Sequence, residues 1–173
     1  LDDSTRSFTK LFDEGDAAYW FLGDKQVKDE RNLLAKAFSK KAAEPTRRYW
    51  IYTNKDAPKG RVIAIDPAAP ESWVEIIPES EHVLDDISLT GNRLIAKYLV
   101  DARYEVVVYD LNGKKLSTVP LPGIGSAWGF GGEASDSETF FAYSSFSTPT
   151  RIYRYDTISA QMDLWRAPEV DFD

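Results

Sequence analysis

Few residues in this chain have types and spacing that suit chemistry. His82 is the only histidine and no cysteine is present, which excludes histidine-cluster metal sites, thiolate nucleophiles, disulfides and cysteine zinc sites. A histidine can also serve as general base to a serine. The nearest approach to a nucleophile elbow, Gly-x-Ser-x-Gly, is Gly123-Ile124-Gly125-Ser126-Ala127-Trp128-Gly129, whose glycine spacing is wrong. A turn leading into a strand accounts for it better, and a strand following the glycines also rules it out as a dinucleotide fingerprint. Neither spacing nor order links Ser126 or an acid to His82.

Two carboxylate groupings remain. Asp85-Asp86 would hold a cation or act as paired acids if both faced one way, but neighbours on a strand point to opposite faces, so solvated carboxylates are expected. Asp110-Leu111-Asn112-Gly113 imitates the start of a calcium loop without its later ligands or closing glutamate, and reads instead as a two-residue hairpin turn in which Asn112 and Gly113 take positive φ. Five Trp, nine Tyr and nine Phe would line a ligand groove or fill a core, and packing explains most of them. The residues thus suggest no catalytic residue, cofactor or metal in this chain alone.

The elements that hold these residues form a repeat. Arg61 to Asp66, Glu105 to Asp110 and Arg151 to Asp156 are short β-branched or aromatic runs that each close on an aspartate, and the aspartates lie 44 and 46 residues apart. Twelve residues after each stands a proline, at Pro78, Pro122 and Pro168, behind Trp73 to Ile77, Leu116 to Leu121 and Met162 to Ala167. Upstream lie Tyr49 to Asn54, Leu94 to Val100 and Phe140 to Phe146, preceded in turn by Ala17 to Leu22, Val83 to Leu89 and Ser126 to Phe130.

Four strands in about 45 residues is the content of a β-propeller blade. The expected fold is all-β, with about three four-stranded antiparallel blades over residues 17–78, 83–122 and 126–168, and a stray strand at 6–12 from a preceding blade. Burial on both faces explains continuously apolar strands such as Val106 to Tyr109. Thr90-Gly91-Asn92 closes a hairpin, and Pro58, Pro67, Pro70 and Pro149 are placed between strands. An insertion at about 24–48 breaks the repeat. Lys25 to Ala43 is rich in helix formers, with Val27, Leu34, Ala37 and Phe38 near one face, and predicts an amphipathic helix over a blade edge.

With 173 residues and 43% hydrophobic content, the chain can bury a sizeable core. Its net charge of −7 opposes attraction to nucleic acid or anionic membranes, and no apolar run approaches the roughly 20 residues of a spanning helix. The chain starts and stops as though within a domain, and the compartment stays open, cytoplasmic or periplasmic. Propellers close with about four to eight blades. Three blades therefore imply either a longer parent chain or self-association through exposed blade edges.

Thr53-Asn54-Lys55-Asp56-Ala57-Pro58-Lys59-Gly60-Arg61 with Val62 to Asp66 closely resembles a loop and strand in the propeller of prolyl oligopeptidases. Pro120 to Gly125, Ser144 to Pro149 with Ile152 to Asp156, and Trp165 to Pro168 leading to Val170 to Asp173 are also similar. The resemblance implies the last blades of an unclosed seven-bladed propeller that covers a serine hydrolase domain. The Ser-Asp-His triad would lie beyond residue 173, and the parent would cleave short proline-containing peptides. It carries no functional residue onto this chain. The insertion departs from the family's short turn, and a free-standing binding module completed by oligomerisation is the other reading.

Overall fold

In the computed structural model, which describes residues 15, 17–27, 46–67 and 69–168, the β-branched and aromatic runs form three four-stranded antiparallel sheets. The first holds β1 (Tyr19–Val27), β2 (Thr46–Thr53), β3 (Arg61–Asp66) and β4 (Ala69–Ile77). The second holds β5 (Val83–Thr90), β6 (Arg93–Val100), β7 (Arg103–Tyr109) and β8 (Lys115–Thr118). The third holds β9 (Ser126–Gly131), β10 (Glu138–Ser145), β11 (Thr148–Asp156) and β12 (Met162–Arg166). Strands neighbour one another in chain order in every sheet. The sheets approach through their first strands, β1 with β5 and β5 with β9. That is the arrangement of propeller blades around an axis.

Packing follows from the alternation of side chains along a strand. Leu94, Ala96, Tyr98 and Val107 of the second sheet bury against Trp50, Val62, Ala64 and Ile77 of the first. From the opposite face, Ile95, Val106 and Val108 bury against Phe130, Phe141, Tyr153 and Tyr155 of the third. Val106 to Val108 are therefore apolar in succession because the middle sheet has no water-facing side here, and each such side chain contributes about 1.5–3 kcal/mol by burial.

Polar groups stitch the sheets together. The Trp50 indole N–H donates to the Leu111 carbonyl at 3.0 Å, joining first and second sheets. Between second and third, the Gly91 N–H donates to the Glu133 carbonyl at 3.0 Å, the Asn92 side-chain amide to the Ala134 carbonyl at 2.9 Å, and the Ser88 hydroxyl to the Phe130 carbonyl.

Several local expectations are corrected. Pairing of β1 with β2 continues through Lys25↔Arg48, Gln26↔Arg47 and Val27↔Thr46, so both ends of the expected helical insertion at 24–48 are strand. An Arg47–Asp24 ion pair at 2.7 Å supports these extended arms. The remainder of the expected helix, residues 28–45, and the expected strand at 6–12 lie outside the described residues. Pro70 and Pro149 sit within strands, not between them. Pro70 lies near the start of the outer strand β4, and Pro149 near the start of β11 beside a register shift, where the ladder makes no use of the missing donor. Gly113 has φ 84° while Asn112 has none above zero, so the Asp110 turn is longer than two residues, with Tyr109 pairing with Lys115. Two-residue, twist-matched turns are found at Gly91-Asn92, at φ 61° and 55° between the paired Thr90 and Arg93, and at Asp101-Ala102, at φ 45° and 61° between the paired Val100 and Arg103.

Candidate functional site

His82 lies in the connection between the first and second sheets. Its backbone N–H donates to the Ser80 hydroxyl at 3.1 Å, that hydroxyl donates to the His82 carbonyl at 2.9 Å, and the ring lies 3.7 Å from Glu81. These contacts fix a turn. Ser126 opens β9, opposite Ser144 of β10. The glycine before it, Gly125, is packed against the Ser144 carbonyl and the Tyr143 ring, which is what the glycine-rich approach accommodates. His82 thus lies between the first and second sheets, and Ser126 at the first residue of the third. Among the described residues, no group of three or more His, Asp and Glu could hold a metal ion.

Asp110 is a turn-forming residue. Its carboxylate accepts the backbone N–H groups of Asn112 and Lys114 at 2.8 and 2.9 Å. Asp156 does the same for Ile158 and Ser159 at 2.9 and 2.7 Å, and these bonds hold its carboxyl below the ordinary value.

The structure does bring Asp85 and Asp86 together, contrary to the expectation from strand alternation. A register shift between Leu84 and Asp86 displaces β5 against β6. As a result, both carboxylates reach the buried Lys97 ammonium, at 3.1 Å for Asp85 and 3.9 Å for Asp86. The ammonium also lies 4.7 Å from the centre of the Tyr104 ring. Bulges of this kind re-aim side chains.

Nearby, Trp20 of β1 lies alongside Tyr52 of β2, with ring centres 5.3 Å apart and planes at 26°. Burial, and after it the charge of Asp85, push the Tyr52 hydroxyl above its ordinary value. Sequence reasoning assigned these aromatics to packing. The available signal was two adjacent large aromatics, Trp20 and Phe21, on one strand, since a strand with one wet face seldom carries both.

A cleft of about 440 Å3 separates the connection at Ile77 to His82 from the second sheet. Tyr98 and Tyr109 line it, their hydroxyls 3.3 Å apart, and burial holds the Tyr98 proton well beyond its usual pKa.

Residues 9–168 match the family described as prolyl oligopeptidase, N-terminal beta-propeller domain. The chain is 32% identical over 126 residues to a prolyl endopeptidase of Elizabethkingia meningoseptica, covering 72% of the chain and 18% of that enzyme. It is 31% identical over 134 residues to a prolyl endopeptidase of Dictyostelium discoideum, covering 71% and 18%. A solved structure from a study of two prolyl endopeptidases and the role of inter-domain dynamics in their catalysis and specificity superposes at a TM-score of 0.80. It is 30% identical, with 99% of this chain and 23% of that one covered. Prolyl oligopeptidase B of Galerina marginata, at 22% identity and a TM-score of 0.74, shares the fold. The chain spans less than a quarter of the length of these relatives. Matched over nearly all of its length, the chain belongs to the prolyl oligopeptidase family, as part of its amino-terminal β-propeller domain.

Proposed function

We propose that this chain is a non-catalytic part of a serine peptidase that cleaves short proline-containing peptides, where it restricts access to a hydrolase domain and supports that domain. The observation that carries the proposal is the family match over residues 9–168. Its blades would comprise residues 17–78, 83–122 and 126–168. The third sheet turns Trp128, Phe140, Ile152 and Trp165 outward, at 36% to 56% exposure. A row of large apolar side chains on one sheet face suits a further blade packed against it. The partners in this reading are the hydrolase domain of the parent chain and, for the assembled enzyme, short peptides.

Purified alone, the chain should leave a Gly-Pro reporter peptide uncleaved, whereas co-expression with the remaining propeller and hydrolase segments should give cleavage. Appreciable turnover by the 173-residue chain would overturn the proposal. The same outward face also fits a second reading, in which copies of the chain complete a propeller between them. Sedimentation separates the two: a closed oligomer of defined size supports self-assembly, and a stable monomer removes it.

A further inference from the structure

The second sheet carries a polar cluster on the face turned toward the first. Tyr98 of β6 pairs with Glu105 of β7, Tyr109 of β7 pairs with Lys115 of β8, and Val107 lies between Glu105 and Tyr109 on the same face. The two tyrosine hydroxyls meet at 3.3 Å, and the Lys115 ammonium lies 3.8 Å from the Glu105 carboxylate. All of these side chains line the cleft of about 440 Å3, whose far wall is Ile77, Pro78 and the connection to His82. Both walls belong to this chain, so the cleft depends neither on further blades nor on the peptidase reading.

Two features leave this cleft chemically unfinished. A pair of hydroxyls holds two protons and uses one in the bond between them. Among the described residues neither hydroxyl has a further partner. Tyr98 is only 7% exposed, and a buried donor without an acceptor is costly, so Tyr98 donates to Tyr109 and the Tyr109 O–H is left open to an acceptor in the cleft. The second feature is the ion pair. Glu105 and Lys115 are both about half exposed, and a pair of this kind is worth little and opens readily. A simple cation would meet Glu105 but be repelled by Lys115, and a simple anion would suffer the reverse. A cleft of this size, apolar at Val100, Val107 and Ile77, suits a small molecule with an apolar body and both charges. With the two protein charges 3.8 Å apart, the ligand's charges must be adjacent, as on a single α-carbon.

We propose that this cleft between the first and second sheets binds a free α-amino acid with an apolar side chain. The ligand's ammonium pairs with Glu105. Its carboxylate pairs with Lys115 and accepts the Tyr109 O–H. Its side chain lies over Val107, against Ile77 and Pro78.

The test is a nuclear magnetic resonance titration of the 173-residue chain. One probe is L-leucine, and the other is N-acetyl-L-leucine amide, which keeps the side chain and lacks both charges. Leucine should shift the Val107, Tyr109 and Lys115 amides saturably, with the uncharged analogue roughly tenfold weaker. Lys115→Met removes the ammonium from an exposed position, and should weaken leucine binding roughly tenfold at an unchanged melting temperature. Tyr109→Phe, which removes the open O–H donor, should weaken it roughly fivefold. Absence of saturable shifts at Val107 and Tyr109, equal affinity for the two probes, or leucine binding unaffected by Lys115→Met would overturn the proposal.

Discussion

Replacing Gly113 with alanine should be among the most damaging single-carbon changes in the chain. Gly113 adopts φ 84°, a left-handed conformation that costs a residue with a β-carbon about 1–2 kcal/mol. The added carbon would also lie 1.8 Å from the Ile76 carbonyl oxygen and 2.8 Å from its carbonyl carbon. Ordinary contact begins at 3.4 Å, so the Asp110 turn or β4 must retreat by more than an ångström. Both belong to packed sheets, and such displacement adds about 1–3 kcal/mol. The combined loss is about 3 kcal/mol, or roughly 6–12 °C in melting temperature for a chain of this size. Thermal unfolding followed by circular dichroism, with the urea midpoint as a second measure, reads the change. Gly131→Ala is the internal control, because nothing lies within 4 Å of the carbon it adds, and it should stay within about 0.5 kcal/mol. A loss below about 1 kcal/mol for Gly113→Ala would mean that the turn swings free of the first sheet, refuting the docked arrangement.

Other changes probe the same construction. Trp50→Phe leaves the Leu111 carbonyl without its 3.0 Å donor and opens space at a fully buried site, which should cost about 2–4 kcal/mol in urea unfolding. Asp110→Ala removes the acceptor for two backbone N–H groups and should cost about 1–2 kcal/mol, with the loss restored in large part by Asn. Tyr98 holds its proton more tightly folded than unfolded, so the unfolded chain binds fewer protons once pH exceeds the ordinary 10.0. Stability present below that pH should therefore decline above it, and Tyr98→Phe should flatten the decline when melting temperature is followed from neutral to strongly alkaline pH.

The three-sheet fold was legible because its signals are local. Asp110 and Asp156 recur at the repeat spacing since each carboxylate ties down the turn that follows its strand, a requirement written in one residue type. Runs such as Val106 to Val108 announce burial on both faces directly. The extension of β1 to Val27 was not legible, because Lys25 and Gln26 are good helix formers and pairing with Arg47 and Arg48 overrides that preference. The meeting of Asp85 and Asp86 on Lys97 was hidden for a different reason. It depends on a register shift in β5, and strict alternation carries no trace of such a shift. The stacking of Trp20 on Tyr52 depends on which residues pair across β1 and β2, a property of the assembled sheet.

The stitches between the second and third sheets divide their duties unevenly. Ser88, Gly91 and Asn92 supply the donors, while Phe130, Glu133 and Ala134 accept through main-chain carbonyls that every amino acid possesses. Sequence drift at this seam should be lopsided. A saturation scan scored by folded yield should find Gly91 intolerant, since a β-carbon there meets the Asp136 carbonyl oxygen at 2.4 Å, while the exposed positions 133 and 134 accept most side chains. Homologous blades could thus diverge at positions 133 and 134 on one lip of the seam and keep their mutual registration through Gly91 and Asn92 on the other.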